Sequence, residues 1–302
     1  MRLGVDLGGT KIEIAGFGDD GAMLLRERVA TPRGDYVGTL KAVAALVEAA
    51  ELKAGARGTV GIGIPGAESR ASGLVKNANS TCLIGKPLKR DLETLLRCEV
   101  RIANDANCFA LSEAVDGAGA GASVVFGVIL GTGVGGGIVV RQHVLSGENA
   151  IAGEWGHNAM PGETTPEELR PACYCGRRGC IETYLGGPAL QAEHRLGSGE
   201  NIAPPEIVVR AASGDTACEA TLQRYEQRLA RALAQVINIL DPNTIVLGGG
   251  LSNIDRLYAN VPRLWEAHVF SDRVTTRLLR HRHGDSSGVR GAAWLWGKPA
   301  EG

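Results

Sequence analysis

A duplicated α/β fold is what this sequence predicts, and three observations predict it. Strand-like runs alternate with helix-like runs along the chain. A strand, glycine turn, strand plan occurs twice, over residues 2–17 and again over 123–141. Glycine supplies 43 of 302 residues, roughly 14% against a typical ~7%, and gathers in short bursts between apolar runs, as tight turns and close ligand approach require.

The elements follow in order. Arg2–Leu7, Lys11–Phe17 and residues 22–29 read as a three-strand meander, separated by Gly8-Gly9-Thr10 and Gly18-Asp19-Asp20-Gly21. Val37, Leu40, Ala44 and Val47 recur at helical steps of three and four. A buried strand, Thr59–Ile64, stops at Pro65-Gly66, and after a polar Asn/Ser loop a helix begins near Pro87. Residues 100–103 form a short strand, and Asn104-Asp105 opens a helix through Val115. The second cycle starts after the small-residue stretch 117–121: a strand over 123–130, a Gly131-Thr132-Gly133 turn and a strand over 136–141. Leu222, Tyr225, Leu229, Leu233, Val236 and Leu240 mark a long amphipathic helix stopped at Asp241-Pro242. A strand over 244–247 then runs into Gly248-Gly249-Gly250 and a further helix.

A chain of 302 residues makes one large or two ordinary domains. With 44% hydrophobic and 22% charged residues it has the balance of a soluble globular protein. Lys and Arg number 32 against 33 Asp and Glu, a formal charge of −1, so no basic field is expected to hold nucleic acid or an acidic membrane surface. No apolar run is long enough to span a bilayer, and no signal-peptide pattern precedes Arg2–Leu7. A cytoplasmic location is expected.

Asp6 at a strand end, followed by two glycines, Thr10 and Lys11, forms a turn that can cradle phosphates while the carboxylate holds hydrated magnesium. An ordinary hairpin turn accounts for the same residues. Gly131-Thr132-Gly133 and Gly248-Gly249 add two further glycine stops after strands, a set that suits a nucleotide. Asp105 fits a helix N-cap. It equally fits a general base at the carboxyl end of a strand, and the two roles are compatible. His157, Cys173, Cys175 and Cys180 make a Cys3His set suited to a closed tetrahedral zinc site, with Gly176 and Gly179 allowing the sharp turns. Full ligation leaves no open position, so the zinc is expected to be structural. His281 and His283 lie among arginines and read as a solvated face; His143, His194 and His268 have no evident sequence partners.

Six motifs in this order carry a resemblance: Asp6-Leu-Gly-Gly-Thr-Lys11, Gly61-Ile-Gly-Ile-Pro-Gly66, Asn104-Asp-Ala-Asn107, Gly153-Glu-Trp-Gly-His157, the 173–180 knuckle continuing to Glu182, and Val246-Leu-Gly-Gly-Gly250. From Arg2 to Trp296 the chain resembles the ROK family of sugar kinases and sugar-responsive repressors. Residues 75–81 and 283–296 resemble its bacterial fructokinase/mannokinase branch in particular. The resemblance implies a duplicated actin-like (ribonuclease-H-like) ATPase fold, two domains with a cleft between them. The first is expected over 1–118, with 286–302 packing back on it, and the second over 119–285.

It further implies Asp105 as catalytic base. Gly66, Asn104, Asp105, Glu154, His157 and Glu182 become sugar partners, with Glu154, His157 and Glu182 at the anomeric end. Asp6, Gly8, Gly9, Thr10 and Lys11 form the first phosphate loop, Gly131, Thr132 and Gly133 the second, and Gly248 and Gly249 the adenosine side. His157 would be both zinc ligand and sugar partner. Gly135-Gly136-Gly137 departs from the family pattern and predicts a looser second loop. The implied activity is ATP- and magnesium-dependent phosphorylation of a free hexose at its 6-hydroxyl, in a homodimer with structural zinc. Fructose heads the substrates, with mannose and glucose behind it; a glucose or N-acetylhexosamine kinase is the alternative, although nothing in the sequence marks room for an acetyl group. A non-catalytic sugar-sensing regulator is the rival of another class, against which Asp105 and both phosphate loops weigh. A DNA-binding repressor would need a helix-turn-helix before the first loop, and here Asp6 is the sixth residue.

Overall fold

The computed structural model describes residues 1–162 and 165–297. The chain opens with β1 (Arg2–Leu7), β2 (Lys11–Phe17) and β3 (Met23–Ala30), each antiparallel to the next; the third strand sits one residue later than expected. α1 (Tyr36–Ala54) begins where the Asp35 carboxylate accepts the Gly38 N–H, and it ends at a left-handed Gly55. β4 (Thr59–Ile64) leads into a small hairpin, β5 (Ala67–Glu68) and β6 (Val75–Lys76), then α2 (Leu88–Leu96), β7 (Val100–Asn104) and α3 (Asp105–Val115). β1, β4 and β7 run parallel within a sheet of order β3-β2-β1-β4-β7. Their carboxyl ends therefore share one edge, the edge at which α/β sheets bind ligands. Asp6, Pro65 and Asn104-Asp105 all fall there.

The plan then repeats with β8 (Val124–Leu130), β9 (Val134–Val140) and β10 (His143–Val144). Helices α4 (Glu182–Leu185), α5 (Gly187–Ser198), α6 (Pro204–Ala212) and α7 (Thr216–Leu240) precede β11 (Thr244–Gly248), α8 (Leu257–Trp265), β12 (Arg277–Arg280) and α9 (Ser287–Trp294). The second sheet has the order β10-β9-β8-β11-β12, with β11 parallel to both β8 and β12. Strand for strand this matches the first sheet. One plan is built twice.

The chain divides into two compact units: Met1–Ser123 with Gly137–Gly153 and Arg282–Gly302, and Val124–Gly136 with Glu154–His281. The first unit thus takes back residues 137–153, which the sequence placed in a second domain over 119–285. The physical reason is Gly137, where a Cβ would stand 2.6 Å from the Ala106 carbonyl oxygen and 2.9 Å from the Ala110 Cβ, so only glycine lets this segment lie against α3. The glycine run 135–137 belongs to β9 rather than to a loose loop. Of the expected 286–302 return, residues 298–302 lie outside the described residues.

α9 packs on the first sheet through two further glycines. A Cβ on Gly4 would meet the Val289 carbonyl oxygen at 1.9 Å, and one on Gly61 the Ala292 carbonyl oxygen at 1.9 Å. Leu3, Val5, Ile62 and Ile64 fill the core of this unit with Val43 and Val47 of α1 and Leu92 of α2. At the far end of α3 the fully buried Glu113 carboxylate accepts the N–H groups of Ala118 (2.9 Å), Arg282 (2.9 Å) and His283 (3.3 Å) and the Ser287 hydroxyl (3.0 Å). Four donors satisfy this charge. His283 is not part of a solvated face: its Nε2 stands 3.0 Å from the Asp116 carboxylate, which also pairs with Arg290. His194 is buried between the Thr221 hydroxyl (3.1 Å) and the Cys218 thiol (3.9 Å). No helix among the described residues is long and apolar enough to cross a membrane.

Candidate active site

In the first unit the β1–β2 turn, the Thr31–Gly34 segment after β3, the Pro65 turn after β4 and the head of α3 enclose a cavity of about 390 Å³. That lies within the range of small-molecule sites, ~300–1,000 Å³. Asp6, Gly8, Gly9 and Asp105 all line it, as do Arg33 and Ser80.

Asn104, not Asp105, is the N-cap of α3: its Oδ1 accepts the Ala106 N–H at 2.9 Å, and its Nδ2 donates to the Gly66 carbonyl oxygen at 3.1 Å. One side chain therefore ties the helix start to the Pro65-Gly66 turn. This holds Asp105, the first helical residue, at the cavity wall, where its Oδ1 accepts the Ala106 N–H at 2.7 Å. The Asp105 carboxylate opens to the cavity but has protein on its other sides. Burial raises its pKa against the hydrogen bonds from the Ala106 N–H and the Asn104 side chain. Burial, then the Asp105 and Glu13 charges, push Asp6 up to about 6 against the pull of Lys11 and Arg28. Two carboxylates crowd this site, both readier to hold a proton than in water.

The first loop differs from expectation in one atom. The Gly8 N–H donates to the Lys11 carbonyl oxygen at 3.0 Å and closes the turn, so it does not face an anion. Gly9 and Thr10 are the exposed members. Lys11 reaches Glu13 at 4.0 Å, a buried acid that also pairs with Arg26 (2.6 Å) and Arg28.

The second unit carries a turn at the equivalent place but closes it one residue sooner: the Gly131 N–H donates to the Gly133 carbonyl oxygen at 3.0 Å and leaves Thr132 exposed. Here the support is different. A Glu182 carboxylate oxygen at the head of α4 accepts the Val134 N–H at 2.9 Å, and the Trp155 indole N–H donates to the Gly135 carbonyl oxygen at 3.0 Å. Trp155 also meets Phe126 edge to face, with ring centres 5.7 Å apart. Sequence reasoning gave Glu182 to the sugar and missed that it holds a backbone loop. Gly248 ends β11, and Gly249 adopts φ +80°, where a Cβ would strike the Leu130 carbonyl oxygen at 2.5 Å. Gly248 and Gly249 thus adjoin the end of β8 from which the second loop springs.

His157, Cys173, Cys175 and Cys180 come together, with one ligand atom from each lying within 4.8 Å of all the others. The Cys173 Sγ to His157 Nδ1 and Cys175 Sγ to Cys180 Sγ separations are both 3.6 Å. A tetrahedral zinc with Zn–S bonds of about 2.3 Å has edges of about 3.8 Å, so the set fits that ion. Gly176 and Gly179, at φ +87° and +71°, make the turns that close it. The second histidine nitrogen, Nε2, lies 3.0 Å from the Tyr174 hydroxyl, the kind of outer partner that fixes a ligand's tautomer. In this conformation both His157 nitrogens are engaged, and the expected contact of that ring with a sugar would have to displace Tyr174.

A duplicated α/β unit, each copy carrying a glycine turn at the same sheet edge and one of them an acid-lined cavity, is the actin-like ATPase architecture. Within that class the chain belongs to the ROK family, whose model matches residues 2–298. It is 41% identical to the N-acetyl-D-glucosamine kinase of Yersinia pseudotuberculosis over 299 residues, 98% of either chain. It is likewise 41% identical to that of Vibrio cholerae over 302 residues, 98% of this chain and 99% of the other. Among solved structures, the ROK hexokinase of Thermus thermophilus superposes with a TM-score of 0.86 at 30% identity, covering 97% of both chains. These relatives are named for N-acetyl-D-glucosamine or for hexose at large. The family is the expected one. Its fructokinase/mannokinase branch is not what the similarity singles out.

Proposed function

We propose that this protein transfers the terminal phosphoryl group of ATP to the 6-hydroxyl of a free hexose, with N-acetyl-D-glucosamine as the preferred acceptor. The observation that carries the kinase reading is the cavity that Asp105 lines together with Asp6 and the first glycine loop. A sugar hydroxyl is a weak nucleophile at neutral pH, so a base must take its proton as the new O–P bond forms. Asp105 is that base, and its raised pKa favours proton acceptance. The bond from phosphorus to the bridging oxygen breaks, ADP departs, and the proton leaves Asp105 for solvent. Asp6 would hold magnesium, which when bound would supply charge neutralisation to the phosphates, and the exposed Gly9, Thr10 and Thr132 are the loop members that meet them. Gly248 and Gly249 serve the adenosine.

Gly66, Asn104, Glu154, His157 and Glu182 are assigned to the sugar. Asn104 and Glu182 do so while also holding α3 and the second loop. The Cys3His set holds a structural zinc, which keeps the segment carrying Glu154 and His157 in place. A homodimer, readable by light scattering, belongs to the same proposal.

For the acceptor, the support is the 41% identity to N-acetyl-D-glucosamine kinases over nearly the full length. A panel of N-acetyl-D-glucosamine, N-acetylmannosamine, fructose, mannose and glucose, compared by kcat/KM with coupled ADP detection, decides it. The expected order puts N-acetyl-D-glucosamine first. Fructose at the top would return the enzyme to the fructokinase reading, and no turnover on any sugar would refute the kinase.

A further inference from the structure

Arg33 is a cation at the rim of an acidic cavity. It lines the same space as Asp6, Asp105 and the Gly8-Gly9 turn, yet among the described residues its guanidinium has no ion-pair partner. The backbone around it is anchored on both sides. One step before Pro32, the Thr31 hydroxyl donates to the Gly8 carbonyl oxygen at 2.7 Å and the Thr31 N–H to the Thr10 carbonyl oxygen at 3.1 Å. Two steps after Arg33, the Asp35 N–H closes on the Pro32 carbonyl oxygen at 3.2 Å while the Asp35 carboxylate caps α1. The segment is thus anchored on the first loop at one end and on a helix start at the other. Arg33 stands where the two anchors hold it.

The electrostatics of the cavity set the problem this residue solves. Two carboxylates repel any phosphate that enters, and a magnesium ion held by Asp6 would answer only part of that charge. A phosphate monoester dianion formed beside Asp105 is well matched by a guanidinium, which presents two parallel N–H groups to such an anion. Building on the kinase reading above, the geometry points to Arg33 as the residue that binds the phosphoryl group on the acceptor side, as it becomes the 6-phosphate of the product sugar. The same chemistry is borne by the terminal phosphate of the nucleotide, so the two sources are separated by experiment.

Arg33→Met and Arg33→Lys are compared with the wild type, using whichever sugar the panel ranks first and its 6-phosphate. In Arg33→Met, kcat falls by about 10²-fold, the magnitude typical of losing one charged donor to a transferring group. KM for the sugar stays within about threefold, because the free sugar carries no charge for Arg33 to meet. Titration of the sugar 6-phosphate in the absence of nucleotide gives a Kd weakened at least about tenfold, and Arg33→Lys recovers part of both losses. Unchanged Kd for the sugar phosphate overturns the assignment, and if KM for ATP alone rises, the guanidinium serves the nucleotide instead. Arg33 is exposed, so the variant is expected to melt with the wild type, which a thermal scan checks. A wild type that phosphorylates no sugar defeats the kinase reading itself, whereas an active wild type with an indifferent Arg33→Met defeats only this inference.

Discussion

The turn between β1 and β2 and the turn between β8 and β9 hold the same position in two sheets of the same strand order, and both close on a glycine N–H bond of 3.0 Å. Their surroundings have diverged. The first turn sits among titratable groups, with Asp105, Glu13, Lys11 and Arg28 all acting electrostatically on Asp6. The second is backed by one carboxylate and one indole, Glu182 and Trp155, each bonded to its backbone. A duplicated frame has put its ionisable chemistry in one copy and a docked supporting segment in the other. The first loop should therefore answer to charge, the second to packing.

The largest effect expected is at Asp105. Asp105→Asn keeps size and hydrogen bonding but removes the base, so kcat should drop by ~10²–10⁴-fold with little change in sugar KM. Turnover near the wild-type value would remove the chemical distinction between the two copies. Next comes the support of the second copy. Cys175→Ser should reduce bound zinc from about one per chain to none by elemental analysis, with a lower melting temperature and weakened sugar binding. An active wild type without zinc would end the structural-metal reading. Glu182→Ala removes a sugar partner and frees the Val134 N–H, so KM should rise for the sugar and also, by about tenfold, for ATP, the cost of one charge-assisted hydrogen bond to a loop. An effect confined to the sugar would show that Glu182 serves the acceptor and not the loop.

The smallest effect, and the sharpest in sign, concerns pH. Asp6 titrates near 6 rather than at the ordinary 3.8. Between about pH 4 and 6 the folded protein keeps a proton that the unfolded chain has lost, so stability falls as pH rises through that window. The fall is at most about 3 kcal/mol, and less where solvent screens the charge. Asp6→Asn should melt above the unliganded wild type at pH 8, match it near pH 4, and lose the stabilisation that magnesium and ATP give the wild type. Equal melting at pH 8 would show that Asp6 bears no such strain.

Sequence and structure agree where the signal is local. The meander, the glycine turns and the strand-to-helix passage at Asn104-Asp105 each declare themselves within about ten residues, through period and turn chemistry. The Cys3His set was readable because the knuckle places its three thiols close together in sequence. The duplication was readable because a short plan recurs. What lay hidden depends on distant partners. Glu182 meets a loop 48 residues away, and nothing about a Glu at a helix head says which backbone it will hold. Glu113 gathers donors from both sides of the second unit's sequence. Gly137 looked like slack in a loop, because the close pass of α3 that demands it is a fact of tertiary packing. Arg33 had no motif to mark it. Only the shared edge of β1, β3, β4 and β7 brings it to the acids.

The docking of α9 on Gly4 and Gly61 bears on how the chain comes off the ribosome. The meander, β4 and β7 emerge first, but the helix that covers them is synthesised only after the whole of the second unit. At ~5–20 residues per second, the bare glycine-lined face of the first sheet waits on the order of ten seconds or more for its lid. During that wait the second unit has nearly all of its own sequence and can fold, while the first cannot finish. The interval is the vulnerable one for misassociation, and a chaperone that covers an open apolar sheet is the cellular help this topology calls for.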